Sequence, residues 1–248
     1  MAREAATTFT FRLHGLFPPD DLFSLPMLRL MAAVNDVRHL RKLIGGAFDG
    51  HDHAIGTSER LVIDGEIGYL QRMLCGHLYE AGIVFRSLEE TARGRIDELL
   101  NGDEVGLESL AAVRAVYRDE DQSENSYYLR VLGKIRTFAA FHYKQSRFAD
   151  VLEAAQNAET TVVICGQSVG LGRHTVVDSF ATKFVLDLCG GTPDDLGNDL
   201  GRAVQLGGAL ETMLEHMLAR LMNARPPGAI VAMEHDEVTV PDWLDRLR

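Results

Sequence analysis

Lys134-Ile135-Arg136-Thr137-Phe138-Ala139-Ala140-Phe141-His142-Tyr143-Lys144 is the stretch on which the reading of this chain turns. Just upstream, Tyr128 and Val131 join Ile135 and Phe138 at spacings of three and four. That spacing predicts one apolar face of an α-helix, and the stripe ends on the imidazole of His142. From Asn125 to Ala149 there is no Asp or Glu, while Arg130, Lys134, Arg136, Lys144 and Arg147 all fall inside the span. In a chain of net charge -11 this is the largest local departure from composition.

Arg136 and His142 form an Arg-x5-His pair, and Arg72 and His77 form a second, Arg-x4-His. Spacing alone does not separate the two, because such short matches arise by chance. Context does: Arg136 is followed by the polar Thr137, an apolar run and then Phe141-His142-Tyr143. This resembles the Arg-x(4–6)-His motif of the HEPN superfamily (higher eukaryotes and prokaryotes nucleotide-binding domains), which lies near the end of a long helix. Asn is the commonest residue after that Arg in the family, and here Thr137 stands in its place. The resemblance implies an antiparallel helical bundle that is often a homodimer. It implies either a metal-independent endoribonuclease or a catalytically inactive RNA- or nucleotide-binding relative. Such proteins often work with an antitoxin or a phage-defence partner.

By the same resemblance, His142 is assigned to general acid/base work and Arg136 to stabilising the phosphate. Thr137 would orient the pair, and Tyr143, Lys144, Arg130 and Lys134 would be substrate contacts. No metal and no cofactor is implied. The chemistry suits the residue types. RNA supplies its own 2′-OH nucleophile, an imidazole with pKa near 6.5 titrates at neutral pH, and a guanidinium offers paired donors to phosphate oxygens. On a straight α-helix six residues at about 100° each leave Arg136 and His142 about 120° apart. A shared site therefore needs a bend near the helix end, or two subunits facing across a symmetric interface. A third reading stays open, in which the two residues only brace a structural dimer.

The 248 residues, 46% hydrophobic and 25% charged, fit an ordinary soluble globular protein with one sizeable core. The expected layout is a single, mainly α domain. Its core spans about 20–223, a small β-hairpin is inserted at about 160–177, and a tail covers about 224–248. No apolar run reaches 18 residues, and the first residues lack an apolar signal segment, so neither a membrane span nor secretion is expected. Cys75, Cys165 and Cys189 are odd in number and far apart, which suits thiols in a reducing cytoplasm. An acidic chain is poorly suited to broad nucleic-acid binding, so any RNA contact must be local.

Along the chain, alternation at Phe9, Phe11 and Leu13 predicts a brief strand closed by Pro18-Pro19. A helix is expected from Asp21 to about Leu43, stopped by Gly45-Gly46. A loop carrying His51 and His53 should follow, lacking a third ordered metal ligand. A second helix should start with Thr57 or Ser58 as N-cap and reach Leu100, burying Ile67, Leu70, Leu74, Leu78, Ala81, Phe85 and Leu88, with His77 packed in the core. This helix is the expected partner of the Arg136 helix. Glu104 to Tyr117 should be helical with Leu107, Leu110 and Val113 inward. Thr160–Cys165 and Arg173–Val177 read as strands, and the glycines between them as a hairpin loop with no phosphate-binding context. Asp178 to Leu188 is read as helical. Thr192-Pro193-Asp194-Asp195 predicts a strong helix start, with a leucine stripe beyond it, a weak point at Gly207-Gly208 and an end at Pro226-Pro227. The acidic segment after residue 228 reads as a tail, mobile or docked.

Overall fold

The computed structural model describes residues 6–11, 13–54, 56–118, 126–137, 185, 192–224 and 230–236. The described chain is mainly helical. A strand β1 (Ala6–Phe11) and a single helical turn α1 (Leu13–Leu16) lead into three helices: α2 (Ser24–His53), α3 (Thr57–Leu100) and α4 (Glu104–Tyr117). A π-helical segment (Tyr128–Gly133) follows, then a last long helix α5 (Pro193–Asn223) and a strand β2 (Ile230–Asp236).

Helix α2 begins at Ser24, three residues after the expected start, and the carboxylate of Asp21 accepts the backbone N–H of Phe23 at 3.0 Å in the turn before it. The expected stop at Gly45-Gly46 does not occur. Both glycines are helical, with open space around them, and α2 continues to His53. Paired glycines lower helix propensity by about 1 kcal/mol each. The buried stripe Met27, Leu30, Val34, Val37 and Ile44 ends just before the glycines, and the helix runs on past it with its side chains exposed or partly buried. His51 and His53 therefore sit in a last helical turn, not in a loop. His53 Nδ1 lies 2.7 Å from the Asp49 carbonyl, and His51 Nε2 lies 3.4 Å from Asp64.

The connection 54–56 is short, so α2 and α3 run antiparallel and share the most extensive helix–helix contact among the described residues. The N-cap of α3 is Gly56, in extended conformation, rather than Thr57 or Ser58. Helix α3 bends at Ala92, whose φ of -145° and ψ of 25° are not helical. The stripe is as expected: Ile67, Leu74, Leu78, Ala81, Phe85 and Leu88 are buried and Leu70 is partly buried. His77 is not a core histidine. It lies at the edge of the stripe with Nδ1 3.5 Å from Asp36.

At Gly102 the backbone turns through φ +74°, a conformation that costs glycine little. Asp103 then caps α4, its carboxylate accepting the N–H of Gly106 at 3.0 Å. Helix α4 buries Gly106, Leu110, Val113, Val116 and Tyr117. Leu107, expected inward, is 40% exposed, because the buried face begins one residue earlier, at Gly106, where a Cβ would meet Leu100 at 2.7 Å.

Helix α5 opens with a full capping box between Thr192 and Asp195, and proline stands in its first turn. Leu196, Leu206, Leu210, Met213, Leu214, Met217 and Leu221 enter the core, the two methionines filling it beside the leucine stripe. Gly207-Gly208 is not a weak point. It is the seat of Arg41 from α2, whose Cδ would lie 2.6 Å from a Cβ at Gly207 and whose guanidinium donates to Glu211 at 2.7 Å. The basic cluster on α2 is thus answered by acids on α5, with Arg38 3.3 Å from Glu215.

The first and last described strands meet. β1 pairs antiparallel with β2, Ala6 opposite Asp236 and Phe11 opposite Ile230, with a register shift between Thr10 and Phe11. Part of the segment read as a tail is therefore a strand. The expected strand is also shifted, ending at Phe11 before the turn Leu13–Leu16. The β-hairpin expected at about 160–177 lies outside the described residues, as does the helix expected at Asp178–Leu188 except for a buried helical Val185. No described helix is long and apolar enough to cross a membrane.

Asp103 makes a pH prediction at this end of the bundle. Besides Gly106 N–H, its carboxylate meets His216 Nδ1 at 2.8 Å and Arg220 Nε at 3.5 Å. The Gly106 N–H first, then His216 and Arg220, hold its pKa below the ordinary carboxylate value. A depressed folded pKa contributes stability that is complete above the unfolded value near 3.9. That stability is lost as pH falls through the folded pKa. Thermal melting from pH 5 down to pH 2 should therefore show a steeper loss for the wild type than for Asp103→Asn, and identical slopes would refute the linkage.

Candidate functional site

The basic stretch begins as a wide turn rather than the regular α-helix its periodicity predicts. Tyr128–Gly133 is π-helical, and the backbone stays helical through Thr137. Each residue in such a turn rotates by less than the α-helical 100°, so face positions drawn for a straight α-helix no longer hold. A close neighbour accompanies the widening. The Tyr79 ring of α3 presses on Gly133, where a Cβ would lie 3.2 Å from Cε2.

Of the expected apolar side, Tyr128, Val131 and Ile135 are buried, joined by Leu132, and Phe138 lies outside the described residues. Tyr128 stacks flat on Tyr79 at 4.8 Å and meets Tyr117 edge-on at 5.7 Å. Its hydroxyl accepts from Arg86 at 2.8 Å, and the same guanidinium lies 4.6 Å from the ring centre. Burial first, partly offset by Arg86, pushes the Tyr128 phenol well above its ordinary pKa, so it stays neutral. Tyr127 turns the other way, toward α5, donating to the Asp199 carbonyl at 2.7 Å beneath the Arg202 guanidinium. Between them these rings fix the segment to both long helices.

The cations predicted as site residues fall into distinct situations. Arg130 reaches across to α5 and contacts both Asp199 carboxylate oxygens, at 2.9 and 3.1 Å. Asp199 is only 13% exposed, so this pair anchors the segment. Lys134 is half-buried and engaged. Thr137 is exposed. Arg136 donates from Nε to Oε1 of Glu80 at 2.8 Å, and its Nη2 lies 2.8 Å from the same oxygen. The two side chains are 34% and 43% exposed, and the guanidinium carbon stands 5.8 Å from the Tyr79 ring centre. Arg136 is thus partly exposed, with Nε and Nη2 directed at a solvent-accessible acid. His142, Tyr143 and Lys144 lie outside the described residues.

Helix α3 is indeed the partner of the Arg136 segment, and it supplies residues the sequence reading did not choose: Tyr79, Glu80 and Arg86. Tyr79 and Glu80 flank the buried stripe at Leu78 and Ala81, which places them at the helix boundary facing a neighbour. Periodicity alone does not say which neighbour. Elsewhere, a groove of about 600 Å³ is lined by Leu16, Arg95, Glu98, Asn101 and Arg220 among others, and contains none of the predicted site residues. No grouping of three metal-ligating side chains occurs among the described residues. No family model, no characterised protein and no solved structure matches this chain.

Proposed function

We propose that the chain is a HEPN-like protein that acts on RNA as a metal-independent endoribonuclease, with Arg136 binding the scissile phosphate and His142 as general acid/base. The observation that carries this reading is the position of Arg136. A guanidinium in a segment of 25 residues without an acid stays at the surface, held in one pose by Tyr79 and Glu80 rather than consumed by the core. The reaction needs no bound ion. The 2′-OH of RNA attacks the adjacent phosphorus as its proton passes to a base, the 5′-oxygen leaves protonated, and a 2′,3′-cyclic phosphate results. A guanidinium serves best where phosphate charge builds up. On this reading two subunits would face each other and bring two such pairs together.

A second reading has its own support. The ion pair with Glu80 also suits an inactive module in which Arg136 binds RNA or a nucleotide without turnover, or braces a helical dimer. The deciding experiment incubates the purified chain with end-labelled total RNA and tRNA in EDTA. Fragments ending in cyclic phosphate are expected. Intact RNA across a broad substrate panel would leave the binding or structural reading standing.

A further inference from the structure

We propose that Glu80 is a built-in carboxylate substitute for phosphate, occupying the edge of Arg136 that an RNA phosphate would take, so that RNA binds by displacing it. This inference rests on the reading of Arg136 as a phosphate-binding residue. Nε and Nη2 form the side-on edge of a guanidinium, the edge suited to paired bonds with a phosphate. In this structure both lie 2.8 Å from Glu80 Oε1, with Nε donating to it. An oxyanion of the required size and charge is already in place.

Exposure makes the contact exchangeable. Glu80 is 43% exposed, so its carboxylate can return to water without being stranded. Exposed ion pairs of this kind are individually weak and screened by salt. The Arg130–Asp199 and Arg114–Glu89 pairs differ. There the acids are 13% and 4% exposed, and breaking the pair would leave a buried charge behind. Arg136 therefore belongs with the exposed pairs whose acid can leave, as Arg38–Glu215 does, and not with the arginines that hold the helices together. Tyr79, whose ring centre lies 5.8 Å from the guanidinium carbon, remains as a neighbour of Arg136 when Glu80 departs.

The test is a cycle of four proteins: wild type, Glu80→Gln, Arg136→Gln and the double variant. Each is titrated with a fluorescently labelled single-stranded RNA at low salt, and each is first checked for unchanged melting. Glu80→Gln is expected to bind RNA about two- to five-fold more tightly than the wild type, the range that exposed ion pairs convert to. The gain is expected to vanish when Arg136 is also replaced. An equal gain in the Arg136→Gln background would overturn the proposal, because only general charge would then be at work. Weaker binding by Glu80→Gln would also overturn it and would make Glu80 a residue that positions Arg136 for RNA. RNA binding by none of the four would sink the RNA reading of Arg136 itself, and the role of Glu80 with it.

Discussion

Alanine in place of His142 is expected to lower RNA cleavage by about 10²- to 10⁴-fold, the range a positioned general acid or base contributes. The imidazole is the one side chain of the basic stretch whose ordinary pKa lies near neutrality, so it can take and return a proton within one turnover. Its loss should flatten the pH profile as well as lower the rate, which separates a proton-transfer role from a packing role. Arg136→Ala should cost about 10²- to 10³-fold, the scale seen when one donor to a developing oxyanion is removed. Arg136→Lys should recover little of this, because an ammonium keeps the charge and loses the paired donors. Single-turnover cleavage of a defined RNA by variants matched for folding by circular dichroism measures all three. Wild-type rates from His142→Ala would end the acid/base assignment.

The helices were legible where long apolar stripes ran without interruption. The bounds of α3 and α4 follow from Ile67 to Leu88 and from Leu110 to Val116, with Asn101-Gly102-Asp103 as the break between them. The start of α5 follows from Thr192-Pro193-Asp194-Asp195, because each residue there has a local task at a helix N-terminus. Glycine misled twice, in opposite ways. Gly45-Gly46 reads as a stop, yet the helix continues past it to His53. Gly207-Gly208 reads as a weak point, yet the missing side chains admit Arg41. Local propensity cannot distinguish a glycine that ends a helix from one that lets a neighbour in. The terminal sheet was half legible. Alternation suggested a strand near Phe9, but its partner lies more than 200 residues on, in a segment whose composition reads as a tail.

The site was legible only in part for a similar reason. Sequence marks Arg136 through its acid-free surroundings and its distance from His142. It does not mark Glu80, because any of the many acids along α3 could have faced a neighbouring cation. That choice is made by which side of α3 meets the π-helical segment, and the close packing of Tyr79, Gly133, Tyr128 and Gly82 makes it.

Gly82→Ala is expected to destabilise the fold by about 2 kcal/mol, although alanine is the better helix former. A methyl group at Gly82 would lie 2.6 and 2.7 Å from Tyr117 and 2.8 Å from Tyr128, closer than carbon atoms pack. Neither ring can step aside. Tyr117 is fully buried, with its hydroxyl donating to the Leu78 carbonyl at 2.7 Å. Tyr128 is clamped between Tyr79 and Arg86. Overpacking a dense core costs about 1–3 kcal/mol, and here two fixed rings meet one atom, so the upper part of that range applies. The helix-propensity gain of about 1 kcal/mol offsets part of it. For a domain of this size the net loss corresponds to a fall in Tm of roughly 4–8 °C. Gly201→Ala on α5, where nothing lies within 4 Å, isolates the propensity gain and should raise Tm slightly. Truncating Tyr128 to Leu should remove part of the Gly82→Ala penalty, because the space would then exist, and residues in contact do not add. If Gly82→Ala instead stabilised the protein as Gly201→Ala does, the two rings would not be fixed there. Tyr128 would then not be what fixes the segment carrying Arg136 against α3.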